Sequence, residues 1–279
     1  MSDTRRIVIV TIVCLLVLTG VLLFAWSGDA RQAKAVASGP PVKLMVFAGA
    51  GMQPPLNELA AVFNKQTGIQ VEYSYKGSGC LLPDIAIGRK GDIYIPGELF
   101  YMKQAVDRKL IGKYRPVTNM TTVIICQSGN PKKIVKVQDL GRPGLRVGLG
   151  DAKAIAIGRA ARTVLDKAKC RKAVEKNVVL QCMNVVELAN AVKLCQLDAA
   201  IVWDGTAALS KGAVTAIPIA PACRVISTVS VGVLNSSQHP KEAARFMDFL
   251  ASADASAVFA KHGYTPLKPA ARGAKAKQI

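Results

Sequence analysis

Residues 42–79 read VKLMVFAGAGMQPPLNELAAVFNKQTGIQVEYSYKGSG. The short apolar run at 42–47 predicts a strand. The small residues Ala48-Gly49-Ala50-Gly51-Met52-Gln53 then make a turn. Pro54-Pro55 suits the first turn of a helix, where the missing N–H costs nothing. Leu56, Leu59 and Phe63 follow at helical spacing, and Gly68 ends the element. Ile69, Val71, Tyr73 and Tyr75 alternate, which marks a half-buried strand. A second small turn, Lys76-Gly77-Ser78-Gly79, closes the unit. Strand–helix–strand units of this kind, repeated, predict α/β layers with largely parallel sheets.

The alternation runs on in both patterns. Residues 81–87 predict a helix interrupted by Pro83, and 92–95 a strand. Residues 99–110 are amphipathic. Strands are expected at 121–126, 145–149, 178–180 and 199–203, helices at 155–168 and 185–194. A long extended run covers 225–234, and helices at 240–251 and 253–261 close the fold. One small sheet does not need so many elements, so two lobes are expected. The chain crosses between them near 118–123 and returns near 220–227. Lobe one takes residues 36–120 and 226–267, lobe two takes 121–225, and 268–279 (KPAARGAKAKQI) is a basic, solvated tail.

The N-terminus sets the compartment. Arg5-Arg6 precedes residues 7–26, which carry no charge. A basic start followed by an apolar run is the layout of a secretory signal, and its length also suits a membrane anchor. Residues 1–35 are therefore read as a signal peptide or an anchor. Either one delivers the remainder to the periplasm or another extracytoplasmic space.

Charge and composition exclude several classes. Lys and Arg total 37 against 18 Asp and Glu, a net +19 that favours anionic partners. The basic residues are scattered and lack interleaved aromatics, which argues against nucleic acid. The two histidines, His239 and His262, lie away from the small turns, and no carboxylate pair stands out. An enzyme is not expected. No C-x-x-C pair occurs, so no metal cation site is expected either, and no cofactor is called for. Outside the cytoplasm Cys80, Cys126, Cys170, Cys182, Cys195 and Cys223 allow several pairings, Cys170–Cys182 first among them. Cys126 and Cys195 sit in apolar runs that suit plain buried thiols.

Ligands of open α/β sheets bind where strands end and helices begin. The turns there are Gly49–Gln53, Lys76–Gly79, Gly150-Asp151-Ala152-Lys153 with Ile157-Gly158, Asn184, and Asp204-Gly205-Thr206. Small residues let backbone N–H groups approach a ligand, and helix N-termini aim positive dipole ends at it. Several converging ends make an anion site without formal charge. Lys76 either adds charge there or is a solvated side chain. Asp151 is assigned to capping or a hinge contact.

The order of these turns and strands resembles the periplasmic molybdate-binding proteins of ABC importers, over nearly all of residues 42–265. The resemblance is clearest at Val46-Phe47-Ala48, Gly77-Ser78-Gly79, Gly150-Asp151, Ala200-Ile201-Val202-Trp203 and residues 246–264. It implies a two-lobed periplasmic binding protein fold of type II, with the ligand in the cleft. It implies a monomer that holds molybdate or tungstate by neutral donors and passes it to a membrane permease driven by an ATPase. Sulfate, phosphate or a small carboxylate is the alternative cargo. The family's first serine falls on Gly51, which offers N–H without a hydroxyl. Its second falls on Ser78, with Gly79 beside it. Its two backbone donors fall near Ile157 and Val185, and its tyrosine on Trp203. Ser78 also suits a helix cap, and Trp203 also suits core packing.

Overall fold

The computed structural model describes residues 42–267. The segment read as a signal peptide or anchor, 1–35, and the basic tail, 268–279, lie outside the described residues. β1 (Lys43–Gly49) buries Leu44, Val46 and Ala48 on one face. α1 (Gln53–Thr67) starts on the proline pair and buries Leu56, Leu59 and Phe63. It is closed by Gly68 in the left-handed region at φ 74°. β2 (Gln70–Lys76) returns parallel to β1. α2 (Ser78–Gly88) begins at Ser78 and runs through Pro83 without a break, where an interruption was expected. Proline there removes only one N–H donor, and buried Leu81, Leu82 and Ile85 hold the helix on both sides of it. β3 (Ile93–Ile95) and α3 (Leu99–Asp107) follow.

β4 (Ile111–Gln127) is far longer than its apolar half. From Ile111 to Thr121 it pairs antiparallel with β9 (Ile226–Leu234). From Thr122 to Gln127 it pairs with β7 (Ala199–Trp203) and β8 (Val214–Pro218). Its first half, with Lys113, Arg115 and Pro116, carries no apolar run, so its strand character comes from pairing with β9. β5 (Val147–Gly150) pairs parallel with β6 (Val178–Cys182) and with β7. The strand path is β2-β1-β3-β9-β4-β7-β5-β6, with β8 on β4. Parallel units thus flank the antiparallel strands that carry the chain from one group to the other.

Helices α4 (Ala156–Lys167), α5 (Arg171–Glu175), α6 (Val185–Lys193) and α7 (Asp204–Leu209) belong to the middle of the chain. α8 (Pro240–Leu250) and α9 (Ala253–Lys261) return to α1, where Phe63 and Phe246 rings meet at 4.8 Å.

The six cysteines among the described residues are free thiols, so the expected Cys170–Cys182 pair is not formed. β6 carries Cys182 about 13 Å along the strand from Val178, to where Gly150 ends β5. Cys170 stays beyond the far end of α4, its N–H bonded to Leu165 O. Disulfide geometry needs Cα atoms within about 7 Å.

One buried carboxylate ties the middle of the chain together. Asp198 accepts from Arg146 N at 2.8 Å and Arg146 Nη2 at 2.9 Å. Burial would raise its pKa, but the Arg146 bonds outweigh that and hold it below the usual range. A depressed folded pKa contributes stability above the unfolded value, about 3.9, and loses it as pH falls through the folded one. Asp198→Ala is expected to cost about 2–3 kcal/mol at pH 7 by denaturant unfolding. The difference from wild type should shrink below about pH 4.

Candidate functional site

Three helix starts face one cavity of about 30 Å³. Its lining includes Gly51, Lys76, Gly77, Ser78, Gly97, Ile157, Asn184, Val185 and Trp203. Ser78 opens α2, Ile157 lies in the first turn of α4, and Val185 opens α6. The leading N–H groups of a helix have no partner within it, so they point outward with the positive dipole end. No carboxylate lines the cavity. Its volume holds a compact ion or about two waters.

Ser78 is held on two sides. Its Oγ accepts from Gly97 N at 3.0 Å, and its carbonyl accepts from Tyr94 Oη at 2.8 Å. With Gly97 supplying one donor to Oγ, the Ser78 hydroxyl proton is left to donate. Asn184 caps α6 by accepting from Val186 N at 2.9 Å through Oδ1. Its amide NH₂ is a further donor group on the lining. Trp203 ends β7 at 3% exposure and brings an indole N–H donor group to the lining.

Five of the six expected site residues meet at this cavity: Gly51, Ser78, Ile157, Val185 and Trp203. Gly79 does not. Its N–H donates to Ala154 O at 3.0 Å, so that donor is spent between the first part of the chain and the middle. Lys76 lines the cavity, but its ammonium pairs with Asp84 at 2.7 Å and stays half exposed. The Asp84 hydrogen bond raises the Lys76 pKa, so it is a charged, outward-facing group. Asp151 accepts from Lys153 N and Ala154 N, capping the turn before α4. The reading of sequence passed over Gly97 and Met120, which carry no motif, and it placed Asn184 only as a helix start.

The two halves of the chain touch closely around this point. A Cβ on Gly77 would lie 2.4 Å from Ile155 Cγ2, and one on Gly79 2.8 Å from Ala154 O. Arg159 Nε reaches Glu98 at 3.2 Å and its guanidinium stacks 3.5 Å over the Phe100 ring. Burial raises the Glu98 pKa, partly offset by Arg159. On the opposite side Tyr264 Oη donates to Gly51 O at 2.6 Å.

Two α/β lobes meeting over a small donor-lined cavity define the class of two-lobed periplasmic binding proteins. More particularly, the chain belongs to the bacterial extracellular solute-binding protein family, whose model it matches over residues 44–265. It is similar to the molybdate-binding protein ModA of Mycobacterium tuberculosis, 26% identical over 79% of this chain and 84% of that protein. Among solved structures it resembles the sulfate-binding protein SubI of Mycobacterium tuberculosis, with a TM-score of 0.73 at 19% identity. That match covers 82% of this chain and 88% of SubI. The periplasmic molybdate-binding protein of Azotobacter vinelandii gives 0.68 at 17% identity, covering 81% and 100%. Among the described residues no helix is long and apolar enough to cross a membrane. No cluster of three or more His, Cys, Asp or Glu side chains suited to a metal cation occurs among them either.

Proposed function

We propose that this protein captures a small tetrahedral oxyanion, molybdate or tungstate first, and delivers it to the permease and ATPase of an ABC importer. The observation that carries the reading is the cavity: about 30 Å³, faced by three helix N-termini and free of carboxylates. Backbone N–H groups, the Ser78 hydroxyl and the Trp203 indole would hold the anion, at Gly51, Ser78, Ile157, Val185 and Trp203. A lining of donors without a carboxylate suits a fully deprotonated dianion. Protonated phosphate carries an O–H that needs an acceptor. Sulfate is the second reading, favoured by the likeness to SubI.

Among the described residues the lobes comprise 42–120 with 226–267, and 121–225. The hinge lies where β4 changes partners between Thr121 and Thr122, and in the 219–225 return. Anion binding closes the lobes, as in hinge-type proteins. Trp203 reports the event. Its fluorescence is expected to change on adding molybdate, saturably, and not on adding chloride. Trp203→Phe is expected to lose the signal and to weaken binding by about 1–3 kcal/mol, since it deletes a donor in a dry site. A tryptophan that only packs the core would give no response to any anion, and its mutant would lose stability with affinity intact.

A further inference from the structure

Arg159 stands at the end of the first turn of α4, just after Ile157, with a charge that the helix itself does not call for. The start of a helix is its positive end, so a cation near it works against the dipole. The guanidinium is engaged by another part of the chain. Its Nε donates to Glu98 Oε2 at 3.2 Å, and its Cζ lies 3.5 Å from the centre of the Phe100 ring. The Glu98 side chain is 19% exposed, and Arg159 is its one ion-pair partner among the described residues. Arg159 does not line the cavity.

The pair joins two walls of that cavity. On one side Ile157 and Arg159 share the start of α4, and Ile157 lines the cavity. On the other side Glu98 follows Gly97, whose N–H donates to Ser78 Oγ at 3.0 Å. Gly97 and Ser78 both line the cavity. A continuous run of contacts therefore leads from the start of α4 through Arg159, Glu98 and Gly97 to the Ser78 hydroxyl. Two further bonds tie the first part of the chain to the turn before α4. Gly79 N donates to Ala154 O at 3.0 Å, and Tyr101 Oη to Lys153 O at 3.5 Å. Both end on backbone carbonyls, whereas two side chains make the Arg159–Glu98 contact.

We propose that Arg159 is a positioning residue for anion capture: by holding Glu98 and Phe100 it sets the α4 donors against the Ser78 hydroxyl without touching the anion. The proposal rests on the oxyanion reading above and deepens it. A guanidinium suits the task, because its planar fork bonds the carboxylate while its face stacks on the ring. A lysine ammonium would supply only the point charge.

The test is isothermal titration with sodium molybdate and with sodium sulfate. It compares the purified protein with Arg159→Ala, Arg159→Lys, Glu98→Gln and the Arg159→Ala/Glu98→Gln double variant. Melting temperatures are recorded without anion. Arg159→Ala is expected to weaken both anions alike, by about tenfold. Arg159→Lys should fall between it and wild type. Glu98→Gln decides between positioning and charge alone. It removes a negative charge near the site, so the long-range field by itself would tighten anion binding. Positioning predicts severalfold weaker binding instead. The double variant should lose less than the summed free energies of the single ones, because both act on one contact. Glu98→Gln that binds as tightly as wild type or tighter overturns the proposal. Arg159→Lys with wild-type affinity overturns it too, as does a loss confined to one anion, which would mark a direct contact. A lower anion-free melting temperature with affinity intact makes the pair a strut of the fold and also overturns it. If Arg159→Ala fails to fold, the nearly isosteric Glu98→Gln carries the same test. A wild-type protein that binds neither anion overturns the oxyanion reading and this inference with it. Retained wild-type binding separates that failure from a failure of Arg159 alone.

Discussion

Gly77→Ala is expected to weaken anion binding by on the order of a hundredfold or more while each lobe stays folded. The new Cβ would lie 2.4 Å from Ile155 Cγ2, 2.9 Å from Met183 O and 3.0 Å from Ala154 O. Two of these neighbours are backbone carbonyls, which cannot rotate aside. All three belong to the middle of the chain, so the clash exists only when the lobes meet. Gly77 itself has φ −61° and ψ 140°, extended backbone that alanine adopts freely. On the proposed closing motion, the substitution costs nothing while the lobes are apart and obstructs them as they close. Small-angle scattering should show wild type contracting in saturating molybdate and Gly77→Ala keeping its anion-free radius of gyration. A variant that contracts and binds like wild type would remove Gly77 from the closing contact.

Ser78→Ala is expected to lower affinity about ten- to a hundredfold, the worth of one hydroxyl donor to a charged ligand at about 1.5–3 kcal/mol. The structure adds a second effect. Ser78 Oγ is the acceptor for the Gly97 N–H at 3.0 Å, and alanine leaves that buried N–H unpaired. Stability should fall by about 1 kcal/mol or somewhat more, read as a drop of a few degrees in melting temperature. The two losses separate by experiment: titration reports the donor, thermal unfolding the acceptor. A stability loss with unchanged affinity would leave Ser78 a strut and not a ligand contact.

The fold was legible wherever burial and periodicity agree. The unit β1–α1–β2 announces itself through Leu44, Val46, Leu56, Leu59 and Phe63, each buried and each on schedule. Strand character without an apolar run was not legible. The half of β4 with Lys113, Arg115 and Pro116 is a strand because β9 supplies its hydrogen bonds. β8, with Thr215 and Ile217 only half-buried and Ala216 and Pro218 exposed, depends on β4 in the same way. Helix α2 starts three residues earlier than its apolar pattern suggests, which puts Ser78 in the first turn and not in a loop.

Glycine and serine in a turn pointed to residues that line the cavity, but their division of labour was hidden. Gly79 looked like a ligand donor, whereas its N–H belongs to Ala154. Lys76 was readable either way until Asp84 was seen to hold it.

The central claim is that the donor-lined cavity binds a compact, fully deprotonated oxyanion. Isothermal titration of the purified protein with molybdate, tungstate, sulfate, phosphate and a small carboxylate tests it most directly. The account predicts one site per chain, saturable binding of molybdate or tungstate, weaker sulfate and little response to phosphate or carboxylate. Preferential binding of phosphate or a carboxylate, or no heat with any of the five, would contradict it.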